Sequence, residues 1–307
     1  MNKLLCALLI FLLFLLPSCS ESYEDYNWAM KNVGQKVCGE KGVAGMDIGA
    51  DNSSLNWNGK PMIIAIVDSG VSSNDHPALN GIVVNSSEGE RNDVHALAVT
   101  GIISTNSQST YKSVLKDAPI YNIVIDKDNI NISKLINDLN IAENCGVRLV
   151  NMSFTMNYFC QELFDYIQKS NMLFVCAAGN IHENHIAYPA GFDLDNIISV
   201  VGINNWGYCS QFSNYSNYAD IAAPGENILC LDQNGNLSYY SGTSFATPYV
   251  TACCAYLISE TNCSALDAKK ILLECAVDNP ALKGYVCDSR MLSLKNINLY
   301  IEKCNKK

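Results

Sequence analysis

From residue 61 onward the chain alternates short, unbroken apolar runs with stretches whose apolar residues recur at helical spacing. No other feature restricts the fold as much. Met62 to Val67 is apolar throughout and ends at Asp68-Ser69-Gly70, as a strand buried on both faces does on meeting its loop. Further strands are expected at Ile120–Ile125, Val147–Phe154, Leu173–Ala177 and Ile197–Ile203. Between them, Ile132–Asn144 carries apolar residues at 132, 135, 136, 139 and 142, a helical spacing that Cys145-Gly146 stops. Helices are also expected over Phe159–Lys169, about Ser244–Ser259 and Ser264–Cys275. This alternation predicts an α/β fold, a single domain whose parallel sheet has helices on both faces. Ligands of such sheets bind beyond the carboxyl ends of the strands, so polar residues there become candidates for chemistry.

The 307 residues suffice for one large α/β domain or two small ones. Twenty basic against thirty acidic residues give a net charge of −10, which argues against nucleic acid as a partner, since that affinity rests on Lys and Arg neutralising phosphates. The first residues read differently from the rest. Lys3 precedes an apolar run from Leu4 to Leu16, about 20 Å as a helix against the roughly 30 Å of a bilayer core. Residues 1–18 are therefore expected to be a signal peptide rather than an uncleaved anchor, which makes this an exported protein. Leu16-Pro17-Ser18-Cys19 resembles a bacterial lipobox, which implies lipid attachment at Cys19, a tether over residues 19–25 and a place at the membrane. Pro17 departs from that pattern, and ordinary cleavage would release a secreted protein instead. The fourteen cysteines include no Cys-x-x-Cys pair, so neither a zinc ribbon nor a redox motif is expected. Cys176, Cys253 and Cys254 read as small buried hydrophobes, and Cys263, Cys275, Cys287 and Cys304 as the disulfide candidates.

Four segments carry chemistry: Val67-Asp68-Ser69-Gly70, Asp93-Val94-His95, Ala177-Ala178-Gly179-Asn180, and Ser241 to Pro248, reading SGTSFATP. Each alone has a plain structural reading, as a turn aspartate, a polar helix start, a turn and a helix cap. Together they supply what amide hydrolysis at neutral pH needs: an activated nucleophile, a base that titrates near neutrality, and donors for an oxyanion. In that scheme Ser244 attacks and its own N–H faces the oxyanion. His95 takes the proton, Asp68 holds the imidazole, and Asn180 donates its side-chain amide.

These four motifs, in this order, resemble those of the subtilisin family (subtilases) of serine peptidases. The likeness runs from Trp28 to Gln35 and Gly42 to Ile48 through Asn151-Met152-Ser153-Phe154, Tyr188-Pro189-Ala190 and Ala223-Pro224-Gly225. It implies a catalytic domain over residues 26–304, with Asp68, His95, Ser244 and Asn180 as catalytic residues. It also implies that Ser153, Phe154, Thr155, Ala178 and Gly179 bind a peptide or protein substrate, with no cofactor and a monomeric enzyme.

The chain departs from the family pattern at several points. The usual Gly and Thr after the histidine are Ala96 and Leu97, and the usual Gly after the substrate strand is Thr155, followed by Met156. Side chains there narrow the space for an incoming residue, so restricted specificity is expected. Ala78 stands where many relatives place a calcium-ligating Asp, so no metal is expected at that position. Resemblance resumes only nine residues past Cys19, so no propeptide and no self-processing step are expected. These departures keep a second reading open, a catalytically silent binding protein of the same fold. An unrelated solute-binding lipoprotein would leave the four ordered motifs unexplained.

Overall fold

The computed structural model describes residues 27–51, 54–57, 62–89 and 94–306, and it joins the apolar runs into one nine-stranded sheet. In chain order the strands are Ile64–Asp68 (β1), Val83–Ser86 (β2), Ile120–Val124 (β3), Leu149–Met152 (β4), Leu173–Ala177 (β5), Ile197–Ile203 (β6), Ile221–Pro224 (β7), Val277–Asp278 (β8) and Arg290–Met291 (β9). Across the sheet they run β8-β9-β7-β6-β5-β4-β1-β3-β2. Every pair is parallel except β8 with β9. Strands β1 and β3 to β7 are buried along their whole length, as the unbroken apolar runs require of a sheet covered on both faces. Edge strand β2 shows exposed residues instead.

The helices are Val94–Ile103 (α1), Ile132–Asn144 (α2), Gln161–Lys169 (α3), Thr243–Thr261 (α4), Ala265–Glu274 (α5) and Leu294–Asn305 (α6). Helix α2 keeps its expected bounds because local signals agree: the Asn131 side chain accepts the Lys134 N–H at 3.0 Å, and Leu135, Leu139 and Ala142 share the buried face. Helix α4 has no polar face. Fifteen of its nineteen residues are buried, which places it inside the core rather than on the surface. It packs against β4, β5, β6 and β7 and against α1. Ala252, Cys253, Cys254 and Ala255 are fully buried there, so both cysteines do serve as small core residues. Trp28 is buried too, and its indole N–H reaches the carbonyls of Glu226 and Asn227 at 3.1 Å, tying the start of the domain to its later half.

Strand β4 is shorter than the expected Val147–Phe154. The Val147 N–H closes the end of α2 on Ala142 O (3.1 Å), and Ser153 already turns toward α4. Helix α6, strand β7 and the antiparallel pair Ile228–Leu231 with Leu237–Tyr240 are further elements of the fold. Cys263, Cys275, Cys287 and Cys304 are free thiols, as are the other described cysteines. The expected export segment, Cys19 and the tether lie outside the described residues. Among the described residues no helix is long and apolar enough to cross a membrane.

Chain order sets where a site can form. After β1 the chain builds β2 and β3 on one side, then crosses to lay β4 on the other, so β1 stands between β3 and β4. The carboxyl ends of β1 and β4 therefore flank a reversal of strand order, the place where open α/β sheets hold ligands. Asp68 ends β1 and Ser153 follows β4.

Candidate active site

Asp68 is the last residue of β1 and has no exposed surface. A bare carboxylate there would be very unfavourable, but this one is surrounded by donors. Its Oδ1 accepts Ser69 N–H at 2.7 Å and Ser69 Oγ at 3.0 Å. His95 Nδ1 lies 2.8 Å from Oδ2 and 3.0 Å from Oδ1. Burial by itself raises the Asp68 pKa; the charge and hydrogen bond of His95, the Lys127 ammonium and the Ser69 N–H together hold it below the usual carboxylate range. His95 comes from the first turn of α1, and the next residues, Ala96 and Leu97, are buried. The two residues that depart from the expected histidine motif are thus side chains of the hydrophobic core.

Ser244 sits in the first turn of α4, whose leading N–H groups have no intrahelical acceptors. The preceding Gly242 has φ 155° and ψ 154°, a region essentially reserved for glycine, which lets the chain enter the helix abruptly. Four residues after the serine comes Pro248, which has no N–H to give the Ser244 carbonyl. The Ser153 hydroxyl supplies that donor instead, at 2.8 Å. In return Ser244 Oγ donates to the Ser153 carbonyl at 2.9 Å. It is not hydrogen-bonded to His95 in this arrangement. The Phe245 ring, 5.3 Å from the His95 ring, brings the two segments together.

Asn180 follows β5, and its Oδ1 accepts both Thr243 N–H (2.8 Å) and Thr243 Oγ1 (2.9 Å). With the oxygen committed, the amide NH₂ is left to face the start of α4, where Nδ2 comes within 3.5 Å of the Cβ position of Gly242. Gly179, at φ 113°, could not carry a side chain: a Cβ there would come within 2.5 Å of Asn214 Nδ2. Ala178 and Gly179 are buried. Phe154 is buried, whereas Thr155 is exposed. Next to it Met156 and Tyr188 pair antiparallel (N–H to O distances 2.6 and 3.1 Å), so the segment after β4 is braced against the loop after Gly179.

Asp68, His95, Ser153, Asn180 and Ser244 therefore gather beyond the carboxyl ends of β1, β4 and β5. Asp93 lies outside the described residues. His182 and His185 are exposed beside Tyr215 and Tyr188, away from this gathering. Among the described residues no group of three His, Cys, Asp or Glu side chains could hold a metal. Sequence reasoning missed the supports. Thr251 Oγ1 donates to Asn151 Oδ1 (2.8 Å), and Asn151 Nδ2 donates to Ser153 Oγ (2.9 Å), a relay ending at the Ser244 carbonyl. The Pro248 signal could have found its last link. Lys127, 3.6 Å from Asp68, was missed as well. A hydroxyl, a fixed amide, an imidazole held by a buried carboxylate and the Ser244 N–H at a helix start are together equipped for nucleophilic acyl transfer.

Known proteins resemble this chain in sequence and in fold. Residues 59–287 match the model of the Subtilase family. The cell wall-associated protease of Bacillus subtilis is 29% identical over 252 residues, covering 76% of this chain but 28% of that protein. The intracellular serine protease of Paenibacillus polymyxa is 29% identical over 233 residues, covering 68% of this chain and 71% of the relative. Among solved structures, a cold-adapted subtilisin-like serine proteinase superposes with a TM-score of 0.70 at 22% identity, over 88% of this chain and 98% of that one. At that identity the likeness speaks for the fold.

Proposed function

Because this chain belongs to the Subtilase family of serine peptidases, we propose that it is an exported serine endopeptidase acting through Asp68, His95 and Ser244. The observation that carries the reading is the 2.8 Å contact between the buried Asp68 and His95 Nδ1, the arrangement in which a carboxylate orients an imidazole to act as general base through its other nitrogen. In this scheme the Ser244 hydroxyl turns from the Ser153 carbonyl toward His95 as the reaction begins. Ser244 Oγ then adds to the substrate carbonyl carbon while its proton passes to His95. The negative charge that develops on the carbonyl oxygen meets the Asn180 NH₂ and the Ser244 N–H. Collapse of the tetrahedral intermediate breaks the C–N bond, and the proton on His95 leaves with the amine. Water, deprotonated by His95, releases the acyl group by the reverse sequence.

Thr155 and the braced Met156–Tyr188 pair support restricted rather than broad cleavage. The Leu4–Leu16 run and Leu16-Pro17-Ser18-Cys19 support export with a lipid anchor on Cys19. The relatives differ in compartment, one being cell wall-associated and one intracellular, so the anchor needs its own measurement. Mass spectrometry of the protein from a bacterial envelope should find a diacylated Cys19; an unmodified N-terminus would end that part of the proposal. For the activity, a fluorophosphonate should label the wild type and not Ser244→Ala. A folded wild type that takes no label would favour the silent binding protein, a reading that Ser244 Oγ keeps alive by resting on Ser153 rather than on His95.

A further inference from the structure

Sheet order sets a lysine beside the buried carboxylate. Strand β3 neighbours β1 on the side away from β4, and the register pairs Asp68 with Val124. The chain leaving β3 therefore passes Asp68 within three residues, and Lys127 Nζ comes to 3.6 Å from Asp68 Oδ1. The lysine side chain keeps 29% of its surface exposed and the carboxylate none. Oδ1 thus has donors from Ser69 N–H, Ser69 Oγ and His95 as well as the ammonium, while Oδ2 carries the shorter 2.8 Å contact to His95.

Other charges surround this pair. Asp126 and Asp128 on the lysine's own loop and Glu88 after β2 line a cavity of about 800 Å³ with it, and all three are exposed, where water screens them. From α2, Lys134 lines the same cavity, but its ammonium is bound to Asp138 (2.6 Å) and the Val124 carbonyl (3.3 Å). From α4 the His95 ring meets Phe245, which carries no charge. Among these charges of the described residues, Lys127 is the one in contact with the buried carboxylate.

A carboxylate beside an imidazole stabilises the imidazolium that forms when the serine gives up its proton. A second cation on that carboxylate offsets part of the stabilisation. We propose that Lys127 is a positioning residue of the peptidase reaction, acting through Asp68 to hold the carboxylate in place and to weaken its grip on protonated His95, so that the base stays in service at lower pH. This inference rests on the peptidase reading above. A unit charge several ångströms from the ring, at the effective dielectric of a half-exposed site, is enough to move the acid limb of activity by about half to one pH unit.

The test is the rate of fluorophosphonate labelling of Ser244 as a function of pH, in wild type, Lys127→Met and Lys127→Arg, with Lys127→Gln as a second neutral variant if methionine disturbs folding. The neutral variants should move the acid limb upward by about half to one unit, which makes labelling about three- to tenfold slower on that limb. Arginine should restore the wild-type limb. A neutral variant slowed by one factor at every pH, or one with an unmoved limb, overturns the role of Lys127 and leaves the peptidase reading intact. A wild type that is unlabelled at every pH overturns both.

Discussion

Replacing Ser153 by alanine tests the most specific piece of this architecture. The hydroxyl donates to the Ser244 carbonyl at 2.8 Å and accepts from Asn151 Nδ2 at 2.9 Å, all within the buried interior. The substitution leaves two buried polar groups unpaired, each costing about 1–3 kcal/mol, so the expected loss is about 2–4 kcal/mol if neighbours relax somewhat. For a domain of this size that lowers Tm by about 5 to 10 °C. Calorimetry is best done in a Ser244→Ala background, which prevents self-digestion while keeping the backbone carbonyl in question. Pro248→Ala supplies the sharper control. It returns an N–H to position 248, so the helix can serve the Ser244 carbonyl without help from Ser153. In that background Ser153→Ala should cost about 1–2 kcal/mol less, a coupling between residues linked only through one carbonyl. A fall in Tm below about 2 °C, or the same cost in both backgrounds, would show that the hydroxyl is not standing in for the missing helical donor.

Lys116 gives a pH test. Its ammonium donates to Thr105 Oγ1 (2.8 Å), Ser109 O (3.2 Å) and Tyr111 O (2.8 Å), and burial, with Lys112 nearby, pushes its pKa down to about 8. An unfolded lysine titrates near 10.4, so between about pH 8 and 10.4 the unfolded chain binds more protons and stability rises with pH through this group. The stability difference between the parent and Lys116→Met should therefore move in the parent's favour across that window in denaturant melts; a flat difference contradicts the argument. Asn180→Asp keeps the oxygen that anchors Thr243 and removes the amide donor, so kcat should fall by about 10²–10³ with Tm little changed. Unaltered kcat would remove Asn180 from the oxyanion site. Thr155→Gly should widen the range of peptides cleaved from a library, and an unchanged profile would place the restriction elsewhere.

The elements legible in the sequence are those where local and tertiary signals coincide. Helix α2 has its cap and its apolar stripe, and β5 and β6 are apolar runs of strand length that become fully buried interior strands, so their bounds are the expected ones. Helix α6 carries similar local marks, since Ser293 caps it and Leu294, Ile297 and Ile301 form its buried face, yet its apolar residues are interspersed with Lys and Asn, which weakens the stripe that would mark it in sequence. The site divides the same way. Asp68, His95, Asn180 and Ser244 are marked by local motifs at strand ends and helix starts. Lys127 has no such mark, because its place beside Asp68 depends on β3 lying next to β1, and strand order is not written in any one segment.

The relay from Thr251 through Asn151 and Ser153 to Ser244 joins residues as much as 100 positions apart, and Asn180 reaches forward 63 positions to Thr243. A ribosome makes α4 after all the central strands from β1 to β7, so a growing chain holds an imidazole and a carboxylate long before it holds a nucleophile. The Ser244 segment then joins strands whose ends already carry Ser153 and Asn180, the partners of the Ser244 carbonyl and the Thr243 N–H. Under the proposed mechanism a product that stops before Thr243 lacks its nucleophile, and is inert rather than a loose, indiscriminate hydrolase.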